Sequence, residues 1–308
     1  MVIRSPTMNV MVRAVERAGK GLVRDFGEVE NLQVSRKGPA DFVSQADMKS
    51  EKTLVAELRK ARPEYGFVLE ESKEIPSQDG RHRFMVDPLD GTTNFLHGIP
   101  HFSISVGLER DGEIVAGVVY NPITMELYRA EKGQGAYLND RRIRVSARRE
   151  LIASVIGTGI PHHGMGDAER FSEELSQLMP RVAGVRRMGS AALDMAYVAA
   201  GRFEGYWEFG LHPWDIAAGI ILVSEAGGYV TEVGGGRAPL KGGSVLAANA
   251  GLHIHLGKLL RSAGESAARK RDQRERLDKA SADSGPGVAN KDGGEVRKAG
   301  DNGKGRPA

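Results

Sequence analysis

The 308-residue chain contains no cysteine, which excludes disulfides, thiolate metal sites and cysteine nucleophiles and fits a reducing compartment. No long uncharged apolar run is present to span a bilayer. The start, Met-Val-Ile-Arg-Ser-Pro, lacks the apolar core of a signal peptide. A soluble cytoplasmic protein is therefore expected. There is no Gly-x-Ser-x-Gly element for a serine hydrolase, and Gly234-Gly235-Gly236 lacks the Lys-Ser/Thr of a phosphate loop. The histidines have no zinc-site spacing: His162-His163 falls in a glycine-rich loop, and His253 and His255 lie near the last helix. Basic excess is also missing from most of the chain, although the pI is near 9.0. Residues 265–308 carry 11 Lys/Arg and 8 Asp/Glu, which is the whole net charge of +3, so residues 1–264 are neutral. Charge alone gives the body no nucleic-acid character.

What is present suits a globular protein, with 40% hydrophobic and 27% charged residues. Ser5 as cap, Pro6 behind it and the spacing of Met8, Met11, Val12, Val15 and Leu22 predict a helix over 5–27. Ser44 opens a second helix over 45–61, with Met48, Leu54, Val55 and Leu58 on its apolar face. Phe67-Val68-Leu69 reads as a strand that delivers Glu70 and Glu71 at its end. Apolar runs flank Asp111-Gly112, a hairpin signal. About 1–150 therefore reads as two helices on an antiparallel or mixed sheet. Strands alternate with helices over 151–264, including helices at 191–200, 214–226 and 252–260, which argues an α/β layer. Beyond 264 the only large apolar residues are Leu277, Val288 and Val296. This stretch is expected to be a disordered charged tail, with at most a charged helix over 266–280.

Three stretches carry possible chemistry. In Asp87-Pro88-Leu89-Asp90-Gly91-Thr92, Pro88 ends a strand. The tight turn then aims both carboxylates and the Leu89 carbonyl into one cavity before a helix capped by Thr92 or Thr93. Hard oxygen donors suit Mg²⁺, and a helix start suits an anion. The same residues also read as an ordinary cap and turn. Glu70-Glu71 at another strand end is either solvated surface or part of a ligand crevice. Asp215, in Trp214-Asp215-Ile216-Ala217-Ala218-Gly219, is either a dipole-favourable acid in a first helical turn or a further metal ligand. Ala217, Ala218 and Gly219 are small enough for that helix to approach another backbone. His212 is expected to pack or hydrogen-bond nearby.

Together, 87–95, Glu70-Glu71-Ser72 and 214–219 resemble the motifs of the inositol monophosphatase family, a likeness that covers about 5–262. Gly189-Ser190-Ala191-Ala192-Leu193-Asp194 and 208–213 look most like bacterial members. The resemblance implies a layered α/β fold, an α-β-α-β-α sandwich of the inositol monophosphatase/fructose-1,6-bisphosphatase type. It also implies a homodimer and Mg²⁺-dependent, Li⁺-sensitive hydrolysis of a small phosphomonoester. By that resemblance Glu70, Asp87 and the Leu89 carbonyl hold one Mg²⁺, Asp87, Asp90 and Asp215 hold a second, and Glu70 helps a weaker third. Gly91 and Thr92 amides grip phosphate, Asp47 bonds Thr92, and Thr92 with Glu70 orients the attacking water. Lys37 and Asp41 match a mobile loop near the metals. Glu208 and Ala191 match the polyol contacts, which points to inositol 1-phosphate or a similar polyol phosphate. Leu69 departs from the glycine that many members carry there. The same motifs serve fructose-1,6-bisphosphatases and 3′-phosphonucleotide phosphatases. Some bacterial relatives are linked to RNA processing and the transcription machinery, a role that only the basic tail favours in this sequence.

Overall fold

The computed structural model describes residues 4–28, 34–36, 42–161 and 166–283. Lys37, Asp41, His162, His163 and the tail beyond 283 lie outside the described residues. In chain order the elements are α1 (Pro6–Phe26), β1 (Val34–Arg36), β2 (Phe42–Ser44), α2 (Gln45–Ala61), β3 (Gly66–Leu69) and β4 (His82–Asp90). Next come α3 (Thr92–Leu96), β5 (Ser103–Arg110), β6 (Glu113–Asn121), β7 (Glu126–Glu131), β8 (Gly135–Leu138) and β9 (Arg141–Ile143). The remainder is β10 (Val155–Thr158), α4 (Ala168–Leu178), β11 (Gly184–Arg186), α5 (Ala191–Ala199), β12 (Gly205–Phe209), α6 (Pro213–Glu225), β13 (Gly228–Thr231), α7 (Pro239–Gly242), β14 (Ser244–Asn249) and α8 (Ala250–Asp283).

A seven-stranded sheet has the order β3-β4-β5-β6-β7-β8-β9, and a five-stranded sheet has the order β11-β10-β12-β14-β13. β3 runs parallel to β4, and every later pairing in the larger sheet is antiparallel. Alternation along the strands divides the core into three layers of contact. Phe84, Val86, Ile104 and Val106 pack with Met8, Met11, Leu54 and Leu58 of α1 and α2. The intervening Met85 joins α5, α6 and Tyr206 of β12 in a second cluster. On the far face of the smaller sheet, Ile156, Trp207 and Leu246 meet Leu178 of α4 and Leu256 and Leu260 of α8. The order is helices, sheet, helices, sheet, helices: the layered α/β fold expected from the sequence.

Small residues let α6 sit against the larger sheet. A Cβ on Gly107 would lie 2.6 Å from the Ala217 Cβ, and one on Gly117 would lie 2.8 Å from the Ala218 Cα. Ser105 Oγ donates to the Trp214 carbonyl at 3.2 Å, fixing the start of α6 on β5. The close approach predicted from Ala217, Ala218 and Gly219 is realised for the two alanines against strand glycines, while Gly219 faces Met195 of α5.

Three expectations need correction. β4 does not end at Pro88. It continues to Asp90 with a shift of register between Asp87↔Ser105 and Asp90↔Ser103. A bulge leaves a residue outside the ladder, so the missing proline N–H costs no sheet bond there. Neither Thr92 nor Thr93 caps the next helix: Gly91 occupies that position with φ of 97°, and α3 is only five residues long. A left-handed φ suits glycine, and a Cβ there would also crowd the Gly189 and His101 carbonyls, each 3.2 Å away. Finally, the last helix runs far past 260, to Asp283. Helix formers dominate 258–280 and no proline intervenes. Ala263 and Ala267 are buried on the way. The chain divides into compact units Met1–Ala267 and Ala268–Ala308. No helix among the described residues is long and apolar enough to cross a membrane.

Candidate active site

Asp87 is the buried centre of the site, 2% exposed near the end of β4. Its Oδ1 accepts from the Leu89 N–H at 2.9 Å. Burial pushes its pKa well up, and the charges of Glu70, Asp90, Asp215 and Asp47 push it in the same direction. Those four acids come from four places: the end of β3, the end of β4, the first turn of α6 and the first turn of α2. The structure thus gathers the sequence-predicted carboxylates into one electrostatic neighbourhood. Among the described residues, no three acids or histidines close into a ready-made cage for an ion.

Asp90 ties the larger sheet to the start of α5. Its carboxylate accepts from Ser190 Oγ at 2.6 Å, the Ala192 N–H at 2.7 Å and the Ala191 N–H at 3.2 Å, at the start of α5. Burial nevertheless outweighs these bonds and pushes its pKa up to about 6. Asp215 Oδ2 accepts from the His212 N–H at 2.7 Å across the first turn of α6. Its pKa is pushed well up by burial, with Asp90, Glu70 and Glu208 adding repulsion against the lowering effect of that bond. His212 stacks on Trp214 with ring centres 4.8 Å apart, beside the site as predicted.

Thr92 Oγ1 lies 3.0 Å from the Leu89 carbonyl and 3.4 Å from Asp47 Oδ2. One hydroxyl proton serves only one of them at a time. When it goes to Asp47, the Leu89 carbonyl is released and a Thr92 lone pair is left to accept.

On the smaller sheet, Glu208 lies near the end of β12 and accepts from the Tyr206 hydroxyl. Burial pushes its pKa up to about 7, with the Tyr206 bond and the Arg187 charge opposing. Asp194 of α5, 1% exposed, is also pushed well up by burial and then by Glu208 and Asp90.

Several supporting residues escaped the sequence reading. Ser50 Oγ donates to the Pro88 carbonyl at 2.8 Å, and Glu51 Oε2 accepts from the Glu71 N–H at 2.9 Å. Neighbouring residues of α2 thus anchor both acid segments. Their one sequence signal is position: Ser50 and Glu51 fall among the buried residues of α2 between Asp47 and Leu54. Ser190 and Ala192 belong to the 189–194 run noted in the sequence, and Ser190 caps α5, but neither their bonds to Asp90 nor the role of Tyr206 gave a sequence signal.

The donor set fits a hard divalent cation. It is all oxygen, its central carboxylate is buried, and neighbouring acids raise the proton affinity of Asp87 and Asp215.

The model of the inositol monophosphatase family matches residues 4–268. The inositol-1-monophosphatase of Rhizobium meliloti is 62% identical over 258 residues, covering 84% of this chain and 96% of the relative. The Nus factor SuhB of Escherichia coli K12 is 40% identical over 244 residues, 79% of this chain and 91% of that protein. Among solved structures, the extragenic suppressor protein suhB of Bartonella henselae superposes with a TM-score of 0.81 at 57% identity, covering 83% of this chain and 98% of that one. On these matches, and on the layered fold that brings its three acidic motifs together, the chain belongs to the inositol monophosphatase family.

Proposed function

We propose that this protein is a Mg²⁺-dependent phosphomonoesterase that hydrolyses inositol 1-phosphate, or a similar polyol phosphate, to the polyol and inorganic phosphate. The observation that carries this reading is the convergence of Glu70, Asp90, Asp215 and Asp47 on the buried Asp87. Glu70, Asp87 and the Leu89 carbonyl would hold one ion, and Asp87, Asp90 and Asp215 another. Bound there, Mg²⁺ supplies Lewis-acid chemistry, making water nucleophilic and offsetting charge on the phosphoryl oxygens. Thr92 donates a hydrogen bond to Asp47 and accepts one from the attacking water, while Glu70 orients that water for in-line attack on phosphorus. The Gly91 and Thr92 amides hold the phosphate. The phosphorus–oxygen bond to the polyol breaks, the leaving alkoxide takes a proton from a second water, the proton released by the attacking water makes good that loss, and no covalent enzyme intermediate is needed. Glu208 and the Ala191 region receive the polyol hydroxyls.

Phosphate release from myo-inositol 1-phosphate, fructose 1,6-bisphosphate and a 3′-phosphonucleotide, each with and without Mg²⁺, tests the assignment. Mg²⁺-dependent release with the highest kcat/KM on inositol 1-phosphate is expected. Mg²⁺-dependent release that favours either of the others reassigns the substrate within the family, and no release from any of them contradicts the reading.

A second reading, binding to RNA or to proteins of the transcription machinery, draws on the 40% identical relatives named Nus factor SuhB. It is also favoured by a groove of about 600 Å³ beside α2, walled by Lys49, Lys52, Arg59, Lys60 and Lys73. Reversing the charge of Lys52 and Arg59 should weaken such binding and leave phosphate release unchanged. Undiminished binding would remove the groove from consideration.

A further inference from the structure

β10 and β12 run parallel, with Gly157 beside Tyr206 and Thr158 beside Trp207. The next step in this register sets Gly159 beside Glu208. Residues 157 and 159 are both glycine, and residues on one face of a strand repeat every second position. Each lies under a functional neighbour. A Cβ at Gly157 would lie 3.0 Å from the Phe203 ring and 3.3 Å from the Tyr206 ring. A Cβ at Gly159 would overlap the Glu208 carboxyl carbon and both of its oxygens, and its three nearest atoms all belong to that carboxylate. The Tyr206 hydroxyl donates to the same carboxylate. Gly157-Thr158-Gly159 therefore forms a bare strip on which Tyr206 and Glu208 lie side by side.

We propose that Gly159 is a specificity-determining position: its missing side chain seats the Glu208 carboxylate where it faces the substrate's hydroxyls. This rests on the reading of Glu208 as a polyol contact. Gly159 is not among the glycines with a left-handed φ, so no backbone strain calls for glycine, and the three atoms nearest to a Cβ there all belong to Glu208. A methyl at 159 displaces the end of a flexible side chain rather than backbone. Beside both residues lies a cavity of about 190 Å³, bordered also by Asp167, Arg170, Phe171 and Phe209. Gly159→Ala should therefore fold and still lose discrimination.

The test compares kcat/KM for myo-inositol 1-phosphate with kcat/KM for p-nitrophenyl phosphate, which has no hydroxyls to recognise, in full-length wild type, Gly159→Ala, Glu208→Ala and the double variant. The ratio of the two constants should fall about tenfold in Gly159→Ala. Adding Gly159→Ala to Glu208→Ala should change it by less than about twofold, because both changes remove one contact. A ratio unchanged by Gly159→Ala, or two effects that multiply in the double variant, would overturn the proposal. A crystal structure of Gly159→Ala supplies a readout independent of substrate. The carboxylate of Glu208 should be displaced from its place beside β10 and the Tyr206 hydroxyl, and an unmoved carboxylate contradicts the proposal. If the wild type itself prefers another phosphomonoester, the polyol reading fails, and the crystal structure still decides whether Gly159 seats Glu208.

Discussion

Asp87 and Glu208 are both acids near strand ends, one on each sheet, and burial pushes both up, yet what opposes that push differs. The charges that act on Asp87 are Glu70, Asp90, Asp215 and Asp47, all acidic. Glu208 has Asp90 on one side, and against it the Tyr206 hydroxyl and the positive charge of Arg187. Among the described residues, the main charges on Asp87 include no positive group, whereas Tyr206 and Arg187 offset part of the push on the second carboxylate. This difference separates two tasks. Under the proposed function, the acids that the larger sheet and α6 gather would serve metal-assisted chemistry, and the carboxylate held on the smaller sheet would meet the substrate's polar groups. Asp90, bonded to the start of α5, couples them.

The contrast can be broken at several points. Asp87→Asn should lower kcat/KM by at least about a thousandfold at saturating Mg²⁺, because it removes the carboxylate shared by both proposed ion positions. Steady-state phosphate release measures this, and a loss under tenfold would place the chemistry elsewhere. Gly117→Val attacks the frame instead. Its side chain would meet Ala218 and Ile221 of α6, and about 3 kcal/mol of stability should be lost, read from urea unfolding. Glu208→Ala should cost about 10- to 100-fold in kcat/KM for inositol 1-phosphate. An equal cost for p-nitrophenyl phosphate would erase the division of labour.

The pH response of the metal-free protein sharpens the same point. Asp87, Asp90, Asp215 and Glu208 all have raised pKa values in the fold, to about 6 for Asp90 and about 7 for Glu208. The folded state therefore holds these protons more tightly than the unfolded chain. Their stabilising contribution is present below the ordinary carboxylate range and is lost as pH rises through about 6 and 7. Thermal unfolding between pH 5 and 8 should show Tm falling with pH by about 5 °C. Mg²⁺ should reverse most of the fall in wild type and little of it in Asp87→Asn. A Tm that rises with pH in the absence of metal contradicts the acid-cluster account. The smallest effect is expected at the C-terminus: deleting 268–308, beyond the buried Ala267, should leave phosphate release within about twofold of wild type.

Local patterns made much of the fold legible. The Ser5 cap is realised, with its Oγ accepting from the Met8 N–H at 3.0 Å. The Asp111-Gly112 hairpin forms, with both residues at positive φ. What stayed hidden depends on long-range pairing. Pro88 reads as a strand end, yet the register shift against β5 absorbs it. Thr92 reads as a cap, but Gly91 takes that position and the threonine hydroxyl turns toward Leu89 and Asp47. The roles of Ser50, Glu51 and Gly159 appear only when α2 meets the acid segments and β10 meets β12. Net charge was likewise a poor guide to surface charge. The body is neutral overall, but Asp25, Asp47 and Glu51 are buried among exposed lysines and arginines, so α1 and α2 present a basic face.

The most direct test of the account is phosphate release from myo-inositol 1-phosphate by chelator-treated wild type and Asp87→Asn during a Mg²⁺ titration. The account predicts no release from either protein before Mg²⁺ is added, then a saturable rise in wild type alone. Full release without a divalent cation, or an Asp87→Asn variant as active as wild type, would contradict it.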